Sequence, residues 1–254
     1  MSDYFISDIH LRGDRPERAR RLVRFLGRLD ADDRLVIAGD LCDFWMGARQ
    51  TEDELSRDEG LAALADFRAS GGALSILPGN HDLWLCPFYE KRLGATILSE
   101  PASFVLHGLR LHLVHGHLLG ARRKWKAFME SREFFEGFGR VPYPMARMLD
   151  AALERKNLRG LDEDERRHLT VYREYAAGLR DEADVVVIGH VHRAVDEPGR
   201  PRLIVLGGWQ ARSSYLKIDA TGASFHIEGD ESDAPPSSSS RSRPPHSESS
   251  RASS

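Results

Sequence analysis

Five short polar blocks recur in one order along the chain: Ser7-Asp8-Ile9-His10, Gly39-Asp40-Leu41-Cys42-Asp43, Gly79-Asn80-His81-Asp82, His115-Gly116-His117 and Gly189-His190-Val191-His192. Together they offer carboxylates, an amide oxygen and imidazoles, the donor types that hold divalent metals such as Mn²⁺, Fe²⁺ or Zn²⁺. Two such ions about 3.5–4 Å apart activate a water, neutralise phosphoryl oxygens and fix an in-line attack. A carboxylate that bridges the pair, with oxygen and imidazole ligands on either side, is what the chemistry needs. Asp8 and His10 are two residues apart at a strand end, so they point the same way, and His190 and His192 repeat the spacing. Asp40 suits the bridge, Asn80 supplies a neutral oxygen and His115 another imidazole. Each block alone is weak evidence, because a single His at a strand end is more often structural. The signal is the ordered set.

These groups need a scaffold that brings them together. Tyr4–Ile6, Arg34–Ala38 and Ala73–Leu77 are apolar runs of strand length, each ending at a block. Between them, Pro16–Leu29 carries Leu22, Phe25, Leu26 and Leu29 at helical spacing, and Glu54–Phe67 does the same with Leu55, Leu61, Leu64 and Phe67. Strand–helix alternation predicts a largely parallel sheet, in which ligands bind beyond the carboxyl ends of the strands. Residues 95–98, 103–106 and 109–114 read as successive short strands, and 184–188 as a buried strand ending at Gly189-His190. Residues 203–206, 214–218 and 224–227 read as a closing meander. Two packed sheets flanked by helices, an α/β sandwich, fit this pattern better than one doubly wound sheet.

An insertion of different composition covers about 118–183. It holds Arg122, Arg123, Lys124, Trp125 and Lys126, followed by Phe128, Phe134, Phe135, Phe138, Tyr143, Met145 and Met148. It reads as helices that either pack a small core of their own or form a lid over an anionic, greasy substrate. Residues 229–254 are rich in Ser, Pro and charge and read as a disordered tail. The rest, 1–228, is taken as one domain. Of the 254 residues 41% are hydrophobic and 30% charged, and the net charge of −3 argues against a nucleic-acid partner. Cys42 and Cys86 form no CxxC pair, which disfavours a zinc ribbon or redox site. With no signal peptide and no run of ~20 apolar residues, the expectation is a cytoplasmic protein able to touch a membrane surface.

The ordered blocks resemble the calcineurin-like metallophosphoesterases, whose pattern is Asp-x-His, Gly-Asp, Gly-Asn-His-Asp/Glu, His and Gly-His-x-His. The resemblance spans roughly Tyr4 to Ile227. It implies a four-layer α/β/β/α sandwich with a helical insertion, one metal held by Asp8, His10, Asp40 and His192, and a second by Asp40, Asn80, His115 and His190. Tyr4–Leu11, Gly39–Trp45, the insertion and Ile204–Trp209 followed by Ser214–Lys217 are similar to one branch, the UDP-2,3-diacylglucosamine diphosphatases of lipid A synthesis. That resemblance implies hydrolysis of the pyrophosphate of a lipid-linked nucleotide sugar to UMP and the acylated sugar 1-phosphate. It further implies Mn²⁺, with Fe²⁺ or Zn²⁺ as alternatives, at the anionic inner face of the membrane. Asp40, Asn80 and His81 would carry catalysis. Asn80, His81, His117, Arg122, Arg123, Lys126 and His190 would contact substrate.

Two positions depart from the branch. His81 stands where it usually has Arg, and restores the form found across the superfamily, where this His stabilises the transition state or protonates the leaving group. His117 stands where the branch commonly has Asp. Both border the expected phosphate pocket, so a soluble phosphoesterase acting on nucleotides, sugar phosphates or other diesters is the alternative reading.

Overall fold

The computed structural model describes residues 1–120, 128–210 and 212–229, less the side chains of 150 and 153–164. Strands β1 (Asp3–Ile6), β2 (Arg34–Ile37), β3 (Ala73–Ile76) and the short β4 (Thr96–Ile97) lie parallel in one sheet. Strands β5 (Ala102–Leu106), β6 (Leu109–Val114), β7 (Val185–Ile188), β8 (Val195–Glu197) and β9 (Arg202–Val205) form a second, in the order β5-β6-β7-β9-β8. Strands β10 (Ser213–Asp219) and β11 (Gly222–Glu228) complete the first, which runs β11-β10-β1-β2-β3-β4.

Strand alternation sorts the side chains into three cores. On β2, Val36 faces the other sheet while Leu35 and Ile37 face helices; on β7, Val185 and Val187 face the other sheet while Val186 and Ile188 face outward. The middle core is sealed by Phe5, Leu111, Leu113, Ile204 and Leu216. Helices α1 (Pro16–Leu26), α4 (Glu59–Ala69) and α5 (Cys86–Leu93) cover the first sheet with Leu22, Phe25, Leu61, Leu64 and Tyr89. The second sheet is covered by Leu169, Tyr172 and Ala176, which lie near the end of a 36-residue helix, Tyr143–Gly178. Counting outward, the layers are α/β/β/α, as expected.

Two local readings need correction. The expected helix over 54–67 is two helices, α3 (Glu52–Leu55) and α4, because Asp58 accepts N–H bonds from Gly60 and Leu61 and so starts a new helix. A further short helix, α2 (Phe44–Arg49), begins beyond Asp43, whose carboxylate accepts from Trp45 N. The closing meander does not exist as such. β9 pairs parallel with β7, whereas β10 pairs antiparallel with β1, so the chain changes sheets between them. Trp209 sits at that crossing, fully buried; its ring meets Phe25 edge-on at 5.4 Å and its Nε1 donates to Ser214 O at 3.0 Å. Three consecutive apolar segments look alike in sequence whichever sheet each joins.

Within the expected insertion, α6 (Arg132–Arg140) and α7 (Tyr143–Gly178) follow. Phe134, Phe135 and Phe138 of α6 pack around Phe44 at 5.2–5.6 Å, and Arg49 donates to the carbonyls of Phe138 and Val141. The α6 segment is thus held against the residues that follow Asp40. Residues 169–176 belong to the sandwich itself rather than to a separate cap. Arg122, Arg123 and Lys126 lie outside the described residues, as does the tail from 230 onward.

Replacing Trp209 with Ala should cost about 3–5 kcal/mol, the range for a buried aromatic. Urea unfolding monitored by circular dichroism checks this; a loss below about 1 kcal/mol would mean that the ring is not a core element.

Candidate metal centre

Every predicted ligand follows the carboxyl end of a strand, and the structure brings all of them together. Beyond β1 lie Asp8 and His10, beyond β2 Asp40, beyond β3 Asn80, beyond β6 His115, and beyond β7 His190 and His192. The loops reach inward through unusual backbone. Of five non-glycine residues at positive φ among those described, four are Asp8 (54°), His10 (50°), Asp40 (53°) and His190 (64°). An L-residue in this region costs roughly 1–2 kcal/mol, and such strain persists only where the surroundings impose it. Here the imposing contacts are backbone bonds: Asp8 N to Gly39 O, His10 N to Asp40 O and Leu11 N to Leu41 O, at 3.1, 2.9 and 2.8 Å.

Each carboxylate is divided between protein and site. Asp8 Oδ2 accepts from His190 N at 2.8 Å and from the Ser7 hydroxyl. Its other oxygen, Oδ1, is buried with no hydrogen-bond donor and lies 3.7 Å from both His10 Nε2 and His192 Nε2. Asp40 Oδ1 accepts from His81 N at 2.9 Å. Asp40 Oδ2 lies 3.7 Å from His10 Nε2 and 3.4 Å from His115 Nε2, so one oxygen faces two groups of ligands. On the second side Asn80 Oδ1 is 3.3 Å from His115 Nε2, and Asp40, His115 and His190 offer atoms within 4.8 Å of one another. On the first, Asp8, His10 and His192 do the same.

The imidazoles are oriented from behind. His115 Nδ1 lies 2.8 Å from Ala38 O, to which its N–H donates, leaving Nε2 directed at the site. The backbone N–H groups of His115 and Gly116 donate to Glu100 Oε1 at 2.9 and 3.2 Å. His10 Nε2 and His192 Nε2 are 3.1 Å apart, an approach of two ligand-type nitrogens that a shared cation would relieve.

The electrostatics agree. Burial pushes the His190 ring well below its ordinary value and the His192 ring down to about 4, with the charges of His115 and His10 adding to it, so both stay neutral. Burial also opposes charge on His115, but Asp40 outweighs it and lifts the ring to about 10. Asp40 is held well below the usual carboxylate range against its own burial, chiefly by His115. Positive charge is therefore favoured where the two ligand groups meet. An orphaned buried carboxylate oxygen, a neutral imidazole pair and an acid kept ionised fit two divalent cations.

The remaining predicted residues also converge. The His81 ring lies 4.8 Å from that of His10, and Phe44 N donates to its Nδ1 at 3.4 Å. His117 sits on the second side, its ring 5.2 Å from His115 and its Nδ1 3.9 Å from Glu100 Oε2. Sequence reasoning missed several supports. Glu100 follows an unremarkable strand, and Ser7 was only the neighbour of a ligand. Trp209 N donates to Asp8 O at 3.0 Å, and Arg18 donates to His10 O at 2.8 Å. The ring of His168, from α7, stands 5.5 Å from that of His190. Most of these are contacts between residues distant in sequence.

Gly79 tests the packing. A Cβ there would collide with Asp40 Oδ1 and approach Asp40 N to 2.6 Å. Gly79→Ala should weaken divalent-cation binding, probed with Mn²⁺, about 10–100-fold, as loss of a supporting contact does. Calorimetric titration checks this, with circular dichroism showing the fold retained; unchanged affinity would contradict the close approach.

The calcineurin-like phosphoesterase family profile matches residues 4–194. The chain is similar to a UDP-2,3-diacylglucosamine hydrolase of Aeromonas salmonicida, 34% identical over 85% of this chain and 89% of the relative. A protein of the same name from Aeromonas hydrophila is 33% identical over 85% and 94%. One from Pseudomonas paraeruginosa is 29% identical over 87% and 97%. The ligand geometry, the layered fold and these matches agree: the chain belongs to the calcineurin-like phosphoesterases, among the relatives of the UDP-2,3-diacylglucosamine hydrolases.

Proposed function

We propose that the protein hydrolyses the pyrophosphate of UDP-2,3-diacylglucosamine, releasing UMP and the acylated sugar 1-phosphate. The observation that carries the chemistry is the position of Asp40 Oδ2, between His10 Nε2 at 3.7 Å and His115 Nε2 at 3.4 Å. The substrate rests on the named activity of the relatives. In this reading Asp8, His10, Asp40 and His192 hold one divalent ion, and Asp40, Asn80, His115 and His190 hold the other, Mn²⁺ being the choice that the donor set accepts well. When bound, the ions supply an activated water and charge neutralisation at phosphorus.

The chain's own groups do the rest. Because Phe44 N donates to His81 Nδ1, the neutral ring carries its proton on Nε2. His81 thus presents a donor to a phosphoryl or leaving oxygen as the water oxygen bonds to phosphorus and the anhydride P–O bond breaks. His117 stands on the other side of the centre, beside His115 and Glu100. Phe128, Tyr143, Met145, Met148 and Leu149 are exposed on the insertion. They provide an apolar face for acyl chains and for peripheral contact with an anionic membrane, to which Arg122, Arg123 and Lys126 would add charge. No helix among the described residues is long and apolar enough to cross a membrane. We take residues 1–228 as the catalytic domain, with an insertion that serves as lid.

Purified protein given UDP-2,3-diacylglucosamine should release UMP with Mn²⁺ and lose that activity in chelator. Turnover of simple phosphodiesters without UMP release would overturn the substrate and keep the site. Asp40→Ala should lower kcat/KM by more than the roughly 100-fold upper range for supporting groups. His81→Ala should lower kcat by about 10²–10⁴ as loss of a proton donor does, while bound metal, counted by mass spectrometry, stays at the wild-type level.

A further inference from the structure

Asp82 is fully buried, yet it is not placed to meet an ion. Its two oxygens are spent on two different loops. Oδ1 accepts from Gly79 N at 2.9 Å, in the loop after β3 that carries Asn80. Oδ2 accepts from Leu41 N at 2.8 Å and Cys42 N at 3.4 Å, in the loop after β2 that carries Asp40. Tyr89, from α5 and also fully buried, donates its phenol to the same Oδ2 at 3.0 Å. The other ties between these two loops are His81 N to Asp40 Oδ1 at 2.9 Å and Phe44 N to His81 Nδ1 at 3.4 Å.

We propose that Asp82 is a positioning residue: its carboxylate, backed by Tyr89, clamps the loop of Asp40 to the loop of Asn80 and so sets the spacing of the ligands of the second metal. This rests on the ligand assignment proposed above. Asp8, His10 and His192 lie on other loops and make no bond to Asp82. Asp40 serves both metals in that assignment but Asn80 serves only the second, so the clamp bears chiefly on the second side. A carboxylate is required because every donor aimed at it is an N–H or O–H. Asparagine has the same shape but one acceptor; its NH₂ would face either Gly79 N–H or the Leu41 and Tyr89 donors, and one loop would be released.

The test is stepwise Mn²⁺ titration of the full chain by calorimetry and by the paramagnetic resonance of bound Mn²⁺, on wild type, Asp82→Asn and Tyr89→Phe. Asp82→Asn is expected to weaken one of the two binding steps about 10–100-fold, the range for groups that orient metal ligands, and to leave the other within about threefold. Tyr89→Phe removes one donor but leaves both loops tied, so it should bind both ions nearly as wild type does. Equal weakening of both steps, or wild-type affinities with a lowered Tm, would overturn the proposal and leave Asp82 a general support of the core. Loss of either step alike in Tyr89→Phe would move the role to the α5 contact. Failure of the wild type to bind two ions would instead defeat the ligand assignment.

Discussion

Two carboxylates have to stay charged where water does not reach, and most of the site follows from that. Asp8 and Asp40 are essentially inaccessible, and the ion pairs that they make are to imidazoles rather than to Lys or Arg. Burial of an ionised acid is costly unless it is hydrogen-bonded and paired. Each acid answers with a division of labour: one oxygen is saturated by backbone or hydroxyl donors from neighbouring loops, and the other is left for the centre. The donors come from residues that are themselves ligands or adjoin them, His190 N for Asp8 and His81 N for Asp40. Ligands thereby orient one another, and neither sheet can assemble the centre alone.

The loops absorb the geometric consequences. Left-handed backbone at Asp8, His10, Asp40 and His190 turns each chain back over its strand end within a few residues. The cost is set against regular pairing immediately behind, where β1 to β2 and β6 to β7 are in continuous parallel register. Local irregularity is confined to the edge where the candidate ligands gather, and the regularly paired strands behind hold it there.

The centre was legible because its parts are chemically unusual and sit at strand ends, where the parallel-sheet rule says ligands gather. Asp8, His10, Asp40, Asn80, His115, His190 and His192 needed only the order of the blocks to be read as one set. The two-sheet sandwich is suggested by the short strands that follow the strand–helix alternation, and its four layers by the family resemblance. What could not be read was whatever depends on partners distant in sequence. Glu100 looks like any surface acid until its oxygen is seen on His115 N. Residues 203–206 and 214–218 have the same apolar character, and nothing in either says that they join different sheets. The end of α7 looked like part of a cap because its composition continues that of the helix, yet Leu169, Tyr172 and Ala176 close a core.

Trp209 gives the order of assembly a meaning during synthesis. The residue whose amide steadies Asp8 lies just after the last strand of one sheet and just before β10, which zips onto β1. A nascent chain that has emerged only as far as β3 already carries Asp8, His10, Asp40 and Asn80 but lacks every later imidazole and this brace. In such a segment the candidate ligands of the first sheet lack both their partners from the second sheet and the backbone bond from Trp209 N to Asp8 O.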